Sequence, residues 1–355
     1  MKDKIKVGYV PYSSDLSHPG DRRRIASWAK STNNELLLNN PLESDLIVLS
    51  GGVNFDYWLK NAKQPVILDL VDGYLGEDPN IFIDFGRNVI RSFKGNGNYS
   101  AGTFTRSLRN ACEIASAVIV ASPEQAQDVK ELNSNIHIIL DDHSELDEAR
   151  NLRNPSAIAL NPRRYIFWEG FGYTIKHFKF VSKSLDEYIV QNNMNFLILT
   201  HPEFARWGGY LGRIEAKKLI QRWFPLSKDL IEIIPWSVEN VVRAASISEF
   251  AIIPVDTNDK FANLKPENKL LSMWHLGLPT IFSNTRAYQR IAEETGVSSL
   301  CIEKEKWGDT FANIEILDLG NSLNQPLKFI TENHTKEILA KKWQAVFDSI
   351  LDVNG

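Results

Sequence analysis

The chain has 355 residues, a length that favours two domains over a single hydrophobic core. Its formal net charge of −4 provides no general attraction to nucleic acid, so an anion-binding role requires a local cluster of positive groups. The two cysteines, Cys112 and Cys301, belong to no CxxC or Cys/His spacing, which argues against a disulfide framework and a zinc site.

The N-terminus, MKDKIKVGYVPY, enters a strand-like run at once, without the apolar core of a signal peptide. No apolar run approaches the roughly 20 residues that a membrane-spanning helix needs. The cysteine usage fits a reducing compartment. These features predict a cytoplasmic protein and leave contact with a membrane surface open.

Short runs of β-branched and aromatic residues alternate with helical patterns through the first half of the chain. Several runs are continuously apolar, which is typical of strands in a parallel sheet covered on both faces. The pattern predicts strands at 5–10, 35–39, 45–50, 65–71, 117–122 and 136–140, and helices at 21–32, 55–62, 103–115 and 123–132.

The polar stretch 141–164 is rich in charged residues, Asn and Pro, and is interpreted as a linker. After it the alternating pattern restarts. The pattern predicts strands at 164–170, 195–201, 230–236, 250–255, 279–284 and 298–302, and helices at 175–190, 213–223, 238–246, 266–276, 286–295 and 335–351.

Strands that alternate with helices indicate βαβ units. We therefore expect an α/β protein made of two Rossmann-like doubly wound domains, at 1–155 and 156–335, that face a central cleft. Ligands of open α/β sheets bind beyond the carboxyl ends of the strands. The loops that follow the predicted strands are therefore the places to search for a site.

The loop after the first strand, in YVPYSSDLSHPGDRRR, carries several candidate groups. His18 lies in a polar loop at a strand end, which favours a role as general base or acceptor contact. Asp21 is interpreted as a helix N-cap. Arg22, Arg23 and Arg24 form either a solvated basic turn or a phosphate-binding group, since guanidinium pairs bidentately with such anions.

A second candidate lies in LDLVDGYL, where Asp69 and Asp72 bracket the end of a buried strand. Carboxylates in this position can hydrogen-bond sugar hydroxyls or accept a proton, whereas the alternative for Asp72 is a turn cap. We favour a structural role for Asp69 and a functional role for Asp72.

The segment FWEGFGYTIKHF places Gly170 and Gly172 at a turn between a strand and a helix. Backbone can approach a ligand closely there, and the helix N-terminus can meet an anion. Thr174 and Lys176 are further candidate phosphate contacts. The full GxGxxG pattern is absent, so a nicotinamide dinucleotide is not the expected ligand.

The segment KPENKLLSMWHLGLPTIFS, from Lys265 onward, predicts a helix with one polar stripe. At about 100° per residue, Lys265, Asn268, Lys269 and Ser272 fall on this stripe without an acidic partner among them. Two ammonium groups, an amide and a hydroxyl would lie near the positive end of the helix. This stripe is interpreted as an anion cradle, with a solvated polar face as the alternative.

The same helix has predictable ends and a predictable buried side. Pro266 suits its first turn, and Gly277 can end it before the next strand. Leu270, Leu271 and Trp274 fall opposite the polar stripe and are expected in the core.

With these residues identified, the second half resembles the nucleotide-sugar domain of glycosyltransferases of the two-Rossmann-domain (GT-B) architecture. The matching segments are FWEGFGYTIKHF, ILTHPEF (198–204) and IIPVD…KPENKLLSMWHLGLPTIFSNTRAYQRI (252–291). In that family the last block carries a Lys/Arg-x-x-Asn-Lys/Arg helix, Gly-x-Pro, a strand and a Ser near an Ala-Tyr. The closing run at 334–351 also resembles the family's last helix, so 336–355 is expected to return to the first domain.

The resemblance implies a hexosyltransferase of the bacterial polysaccharide or lipopolysaccharide type, with its nucleotide-sugar donor in the domain at 156–335. Lys265, Asn268 and Lys269 would contact the donor diphosphate, and Gly170 would line the same pocket. Residues in or next to the matching segments are further expected donor contacts: Gly172, Lys176, Thr200, His201, Ser272, Ser283 and Tyr288.

One position departs from the family pattern. Many retaining members carry a glutamate five residues before the Gly of Gly-x-Pro, where it holds the ribose, and this chain has Ser272 there. Glu267 is nearby in sequence but falls on the opposite side of the predicted helix. Ribose recognition and the stereochemical course therefore stay open.

The resemblance also implies that the domain at 1–155 binds the acceptor, a saccharide or lipid-linked saccharide at the inner face of the cell membrane. His18, Asp21 and Asp72 are the candidate bases, and Arg22 and Arg23 the candidate acceptor contacts. No DxD motif stands in a suitable position, so neither a metal nor a cofactor is expected. Lysines and a helix N-terminus can neutralise a leaving diphosphate instead.

Three rival functions remain. A sugar-nucleotide 2-epimerase of the same fold would use polar groups in the linker region, where Asp141, Asp142, His143 and Glu145 lie. A two-lobed solute-binding protein would carry an export signal and would not need the anion cradle. A glycosyltransferase-like protein without activity is the third alternative, and the departure at Ser272 supports it.

Overall fold

The computed structural model describes residues 4–75, 103–159, 161–205 and 212–354. In chain order its strands are β1 (Lys6–Val10), β2 (Glu35–Leu37), β3 (Leu46–Ser50), β4 (Val66–Leu70), β5 (Ala117–Val120), β6 (Ile136–Ile138), β7 (Arg164–Glu169), β8 (Met194–Thr200), β9 (Glu203–Ala205), β10 (Arg213–Glu215), β11 (Ile231–Pro235), β12 (Phe250–Ile253), β13 (Thr280–Ser283) and β14 (Cys301–Ile302).

The α-helices are α1 (Pro19–Arg22), α2 (Ile25–Thr32), α3 (Phe55–Asn61), α4 (Phe104–Ile114), α5 (Pro123–Val129), α6 (Glu148–Leu152), α7 (Pro155–Ala159), α8 (Ser182–Gln191), α9 (Ala216–Trp223), α10 (Val238–Ile247), α11 (Lys260–Asn263), α12 (Asn268–His275), α13 (Arg286–Glu294), α14 (Trp307–Ala312), α15 (Asn324–Asn333) and α16 (Lys336–Asn354). The 3₁₀ segments are Pro41–Glu43, Ser144–Leu146, Gly172–Phe180, Ser298–Leu300, Lys304–Lys306 and Ile314–Ile316.

The described residues fall into two compact units. Unit 1 comprises Met1–Asp142, Leu264–Asn268 and Asn333–Gly355, and unit 2 comprises His143–Asn263 and Lys269–Glu332. The closing helix α16 therefore belongs to unit 1, together with a short segment from the second half of the chain.

Unit 1 contains a parallel sheet whose described strands follow the order β2-β1-β3-β4-β5-β6. One apolar cluster joins alternate strand residues to α2 and α16 through buried Trp28, Trp343 and Phe347. The intervening strand residues pack in a second cluster with α3 and α4, through Phe55 and Leu108. Because both faces of the sheet are covered, its strands are apolar without alternation.

Unit 2 contains a second parallel sheet, and its described strands follow the order β11-β8-β7-β12-β13-β14. The strand order reverses at β7, since β8 lies on one side of it and β12 on the other. Such a reversal separates the loops that follow the neighbouring strands and forms the crevice in which doubly wound sheets bind ligands. A short antiparallel pair, β9 and β10, stands apart from this sheet.

The predicted α/β class with two parallel, doubly wound sheets is confirmed, and each predicted strand is present within a few residues of its expected bounds. Three predicted helices differ from the structure. The helix at 21–32 is broken between α1 and α2, the one at 175–190 begins as a 3₁₀ segment, and the one at 213–223 begins as strand β10.

The chain passes from unit 1 to unit 2 after Asp142, earlier than the boundary predicted at 155. The stretch interpreted as a linker contains α6 and α7, and its Arg153 explains why it belongs to unit 2. The Arg153 guanidinium donates to the carbonyl oxygens of Ala245 and Glu249, both at 2.9 Å, and to that of Ser248.

Candidate functional site

The loop after β1 in unit 1 is organised by His18. His18, not Asp21 as predicted, is the N-cap of α1, because its Nδ1 accepts a hydrogen bond from the Gly20 amide at 3.1 Å. The ring also stacks on Tyr12 at a centroid distance of 4.6 Å. Burial lowers the pKa of His18, which favours the neutral ring. Because Nδ1 accepts from the Gly20 amide, the neutral ring carries its proton on Nε2. In this state Nε2 can donate but not accept a hydrogen bond, and acting as a base would require Nδ1 to release the cap.

Asp21 fixes the same loop from inside the fold. Its carboxylate accepts hydrogen bonds from the Tyr9 hydroxyl at 2.5 Å, the Tyr12 amide at 2.9 Å and the Ser13 amide at 3.0 Å. The side chain is fully buried. These contacts give Asp21 a structural role, and they leave it poorly placed to act as the predicted base.

The three consecutive arginines have different environments. Arg24 is fully buried, and its guanidinium donates to both carboxylate oxygens of Asp69 at 2.6–3.0 Å and to Asp141 at 3.0 Å. Burial alone would lower the pKa of Arg24, but the two carboxylates outweigh it and raise the pKa. Arg22 and Arg23 are half-buried, and the Arg22 guanidinium donates to the Ser17 carbonyl at 2.9 Å. Only these two can serve the predicted acceptor contact.

The segment Leu264–Asn268 lies against the strand ends of unit 1. The Lys265 ammonium is 3.6 Å from the Asp72 carboxylate, and the Asn268 side-chain oxygen accepts from the Asp141 amide at 3.4 Å. A Cβ on Gly73 would lie 2.7 Å from Leu264, so a glycine permits this approach. Lys265 therefore has an acidic partner, Asp72, which lies outside the polar stripe itself.

Helix α12 begins at Asn268, later than predicted, so Lys265 and Pro266 precede it. Its predicted end is confirmed: Gly277 has a φ of +71°, and its amide donates to the Trp274 carbonyl at 2.9 Å. The predicted core positions Leu270 and Leu271 are fully buried.

Ser272 was predicted as a donor contact, but the structure buries it inside unit 2. It is 2% exposed, and its hydroxyl is 3.0 Å from Nδ1 of the buried His143. One turn further along α12, His275 Nδ1 is 2.7 Å from the Asp147 carboxylate. The face of α12 that carries Ser272 and His275 thus packs against residues 143–147, which gives Ser272 a structural role.

The linker residues that suggested an epimerase also have structural partners. Asp141 pairs with Arg24, the Asp142 carboxylate accepts from the Ser27 hydroxyl, and His143 contacts Ser272. Since all three are buried, Asp141 and Asp142 maintain the fold of unit 1 and His143 maintains that of unit 2.

In unit 2, Gly170 and Lys269 meet at the carboxyl end of β7. The Lys269 ammonium lies 4.2 Å from the centroid of the Trp168 ring. A Cβ on Gly170 would be 2.8 Å from that ammonium and 3.0 Å from the Thr174 hydroxyl. A glycine at this position lets a lysine charge and a bare backbone lie side by side, as an anion site requires.

Gly172 has a different reason to be glycine. A Cβ there would lie 2.4 Å from the Phe204 ring, so the turn packs directly on that side chain. The Phe171 carbonyl accepts from both the amide and the hydroxyl of Thr174, at 2.8 and 2.7 Å. The loop after β7 is thereby held in one shape next to Gly170.

Two ion pairs hold the loop that follows β12. Lys176 pairs with Asp259 at 2.5 Å, and Lys304 pairs with Asp256 at 2.6 Å. The Asp256 amide also donates to Nδ1 of His177 at 3.2 Å. Burial and the Lys176 charge lower the pKa of His177 to about 4, so the ring is neutral at physiological pH. Lys176, predicted as a donor contact, shares its charge with Asp259.

Of the other predicted donor contacts, three are buried and one is exposed. Ser283 is fully buried and accepts from the Val255 amide at 2.8 Å, which gives it a structural role. Thr200 is fully buried at the end of β8, and among the described residues its hydroxyl has no hydrogen-bond partner. His201 follows it and is exposed. Tyr288 is buried against Phe282.

Within the ranges that the structure describes, no group of three His, Cys, Asp or Glu side chains is arranged to hold a metal ion. No helix in those ranges is both long enough and apolar enough to span a membrane.

No family model matches the sequence, and no curated protein is significantly similar to it. Several solved structures are similar in fold. The crystal structure of Anabaena HepE in complex with UDP and glucose matches with a TM-score of 0.63 and 12% identity, over 97% of this chain and 100% of HepE.

WaaG, a glycosyltransferase involved in lipopolysaccharide biosynthesis, matches with a TM-score of 0.57 and 9% identity, over 96% of this chain and 98% of WaaG. TarM, solved from S. aureus, matches with a TM-score of 0.55 and 11% identity over 85% of this chain. The chain spans about half of TarM, since the match covers 54% of that chain. At these identities the likeness establishes the fold that these proteins share.

Proposed function

We propose that this protein is a metal-independent glycosyltransferase that moves a sugar from a nucleotide-sugar donor to a saccharide or lipid-linked saccharide. The observation that carries the proposal is the Lys269 ammonium, held over Trp168 and against Gly170 at the strand reversal of unit 2. The fold is that of proteins solved with UDP and with UDP-glucose. Support therefore comes from a local anion site and from the fold that surrounds it.

The chemistry that this site can supply is stabilisation of a leaving diphosphate. When the bond between the sugar and the diphosphate breaks, negative charge accumulates on the phosphate oxygens. The Lys269 ammonium and the amide groups at the start of α12 can offset that charge, and the bare backbone at Gly170 permits close approach. Lys176 would have to give up its ion pair with Asp259 to act as a second positive group.

Unit 1 would bind the acceptor at the loops after β1 and β4. Asp72 is half-exposed, in contrast to Asp21, and we assign it the role of base for the acceptor hydroxyl. The Lys265 ammonium lies 3.6 Å from this carboxylate. His18, with its proton on Nε2, would donate a hydrogen bond to the acceptor.

The proposal is tested by a thermal-shift titration of the protein with UDP. A ligand present at about 100 times its dissociation constant adds about 2.7 kcal/mol to the free energy of unfolding. We expect a shift of that size with UDP and a much smaller one with uridine, because the charged part of the site recognises the diphosphate. Equal shifts with both ligands, or with neither, would contradict the proposal.

Product analysis completes the test by separating transfer from epimerisation. We expect a nucleotide sugar incubated with the protein to stay unchanged until a saccharide acceptor is added. Conversion of the sugar without acceptor would identify an epimerase instead.

Arg22 and Arg23 suggest a lipid-linked acceptor at the inner face of the cell membrane. Each basic side chain near an anionic surface contributes about 1 kcal/mol to binding. We expect an Arg22→Ala/Arg23→Ala variant, which loses about 2 kcal/mol of this attraction, to co-sediment about 30-fold more weakly with phosphatidylglycerol-containing vesicles. Arg24 is left intact, because its guanidinium is buried against Asp69.

The matched control is a Lys217→Ala/Lys218→Ala variant, which removes the same charge from an exposed position in unit 2. It should bind the vesicles as the wild type does. If both variants lose the same affinity, the attraction comes from net charge, and the assignment of Arg22 and Arg23 is wrong.

A further inference from the structure

Three aromatic rings lie together at the carboxyl ends of β7 and β8 in unit 2. The Phe171 and Tyr173 rings follow β7, with planes 8° apart and centroids 5.7 Å apart. The His201 ring follows β8, and its centroid is 6.5 Å from that of Phe171, with the planes at 30°. We refer to Phe171, Tyr173 and His201 as the aromatic stack.

The aromatic stack faces solvent although its backbone is firmly held. Phe171 is 41% exposed and Tyr173 is 49% exposed. Thr174 fixes the Phe171 carbonyl with two hydrogen bonds, and Gly172 between the two rings is packed on Phe204. Exposed rings on a rigid turn do not stabilise the hydrophobic core. Clusters of exposed apolar side chains are typical of ligand sites.

The position of the aromatic stack indicates which part of a ligand it meets. Phe171 directly follows Gly170, whose backbone lies beside the Lys269 ammonium. In doubly wound sheets the phosphates lie at the turn after the first strand, and the nucleoside extends toward the end of the second. In unit 2 these strands are β7 and β8, so a nucleoside that extends from Gly170 toward His201 passes the aromatic stack.

We infer that the aromatic stack binds the nucleobase of a nucleoside diphosphate whose phosphates lie against Gly170 and Lys269. The inference rests on the proposed function, which supplies the nucleotide. Every base has a flat π face, and stacking on an aromatic side chain is tolerant of base identity. Phe171, at the centre of the aromatic stack, therefore contributes to affinity for the nucleoside and not to affinity for the phosphates.

The test compares UDP with inorganic pyrophosphate by isothermal titration calorimetry. For the wild type we expect UDP to bind more tightly than pyrophosphate. In Phe171→Ala the dissociation constant of UDP should rise about tenfold or more, since a lost stacking ring weakens base binding about 5- to 150-fold. Pyrophosphate affinity should not change, because Gly170 and Lys269 are untouched.

Two further variants separate stacking from general effects. Phe171→Trp retains a flat ring and should bind UDP at least as tightly as the wild type. Phe261→Ala removes an exposed aromatic ring from α11 in the same unit and should leave UDP affinity unchanged.

The remaining outcomes each overturn the inference in a recognisable way. Unchanged UDP affinity in Phe171→Ala would show that the rings serve another ligand, such as a saccharide. Equal losses of UDP and pyrophosphate would show that the substitution alters the shape of the loop. If the wild type binds pyrophosphate as tightly as UDP, the diphosphate site stands but the inferred base site is wrong. If the wild type binds neither ligand, the proposed function is wrong as well.

Discussion

Replacing Arg24 with methionine is expected to lower the free energy of unfolding by about 3–5 kcal/mol at neutral pH. The side chains of Arg24 and Asp69 are both 0% exposed, and the guanidinium also reaches Asp141. Methionine fills similar space but leaves two buried carboxylates without the cation that they share. The expected loss is the cost of that uncompensated charge, and urea denaturation measures it.

The loss should become smaller as the pH is lowered. Burial raises the pKa of both Asp69 and Asp141, and Arg24 opposes the rise in each case. Without Arg24 both pKa values rise further in the folded state. When folding raises the pKa of a carboxyl group, its protonated form favours the folded state. This contribution to the free energy of unfolding is fully present below the pKa of the group in the unfolded chain, and it is lost as the pH rises through the pKa in the folded protein. The variant should therefore approach the wild type near pH 4, the ordinary pKa of aspartate.

Arg22→Met is the matched control, since it makes the same substitution two positions away. Arg22 is half-buried and donates one hydrogen bond to a backbone carbonyl, so we expect a loss below about 1 kcal/mol. An Arg24→Met variant with the stability of Arg22→Met would show that the buried pair does not hold the strand ends of unit 1 together.

The arginines also show what the sequence can and cannot predict. The run predicted a basic turn, but nothing in three identical residues indicates that one of them is buried. The backbone at Arg24 leaves the helical conformation, with φ −122° and ψ −110°, which breaks the predicted helix between α1 and α2. Its partners, Asp69 and Asp141, are distant in sequence, so the pairing follows from the order of the strands.

The strands were predictable because their signal is local. Burial on both faces requires continuous apolar runs, and such runs are visible at β3, β4 and β8 in the sequence itself. The end of α12 was predictable for the same reason, since Gly277 adopts a positive φ that other residues rarely take.

The polar stripe of α12 was misjudged because its partners are not local. Asn268, Ser272 and His275 recur at the spacing of one helix face, a signal that could have suggested a packed polar face. Their partners Asp141, His143 and Asp147 lie in a stretch that was interpreted as a linker. Only Lys269, on the neighbouring side of the helix, reaches the strand reversal of unit 2.

Removing the Lys269 charge is therefore expected to have the largest effect on ligand binding. A hydrogen bond to a charged group contributes about 1.5–3 kcal/mol. At a UDP concentration that adds about 2.7 kcal/mol to the stability of the wild type, Lys269→Ala should gain only about 0.3–1.3 kcal/mol. Thermal-shift titration with UDP measures both values under the same conditions.

Lys269→Met separates the charge from the packing of the side chain. The Lys269 side chain lies over the Trp168 ring, so its truncation to alanine also uncovers an aromatic surface. Methionine keeps an apolar chain over that ring without the charge. Without ligand we expect Lys269→Met to lose about 1 kcal/mol of stability, the contribution of the ammonium to its contact with Trp168. It should lose the UDP shift as Lys269→Ala does. A full UDP shift in Lys269→Met would mean that the ammonium is not the group that binds the diphosphate, because the substitution keeps an apolar chain over the ring and removes the charge.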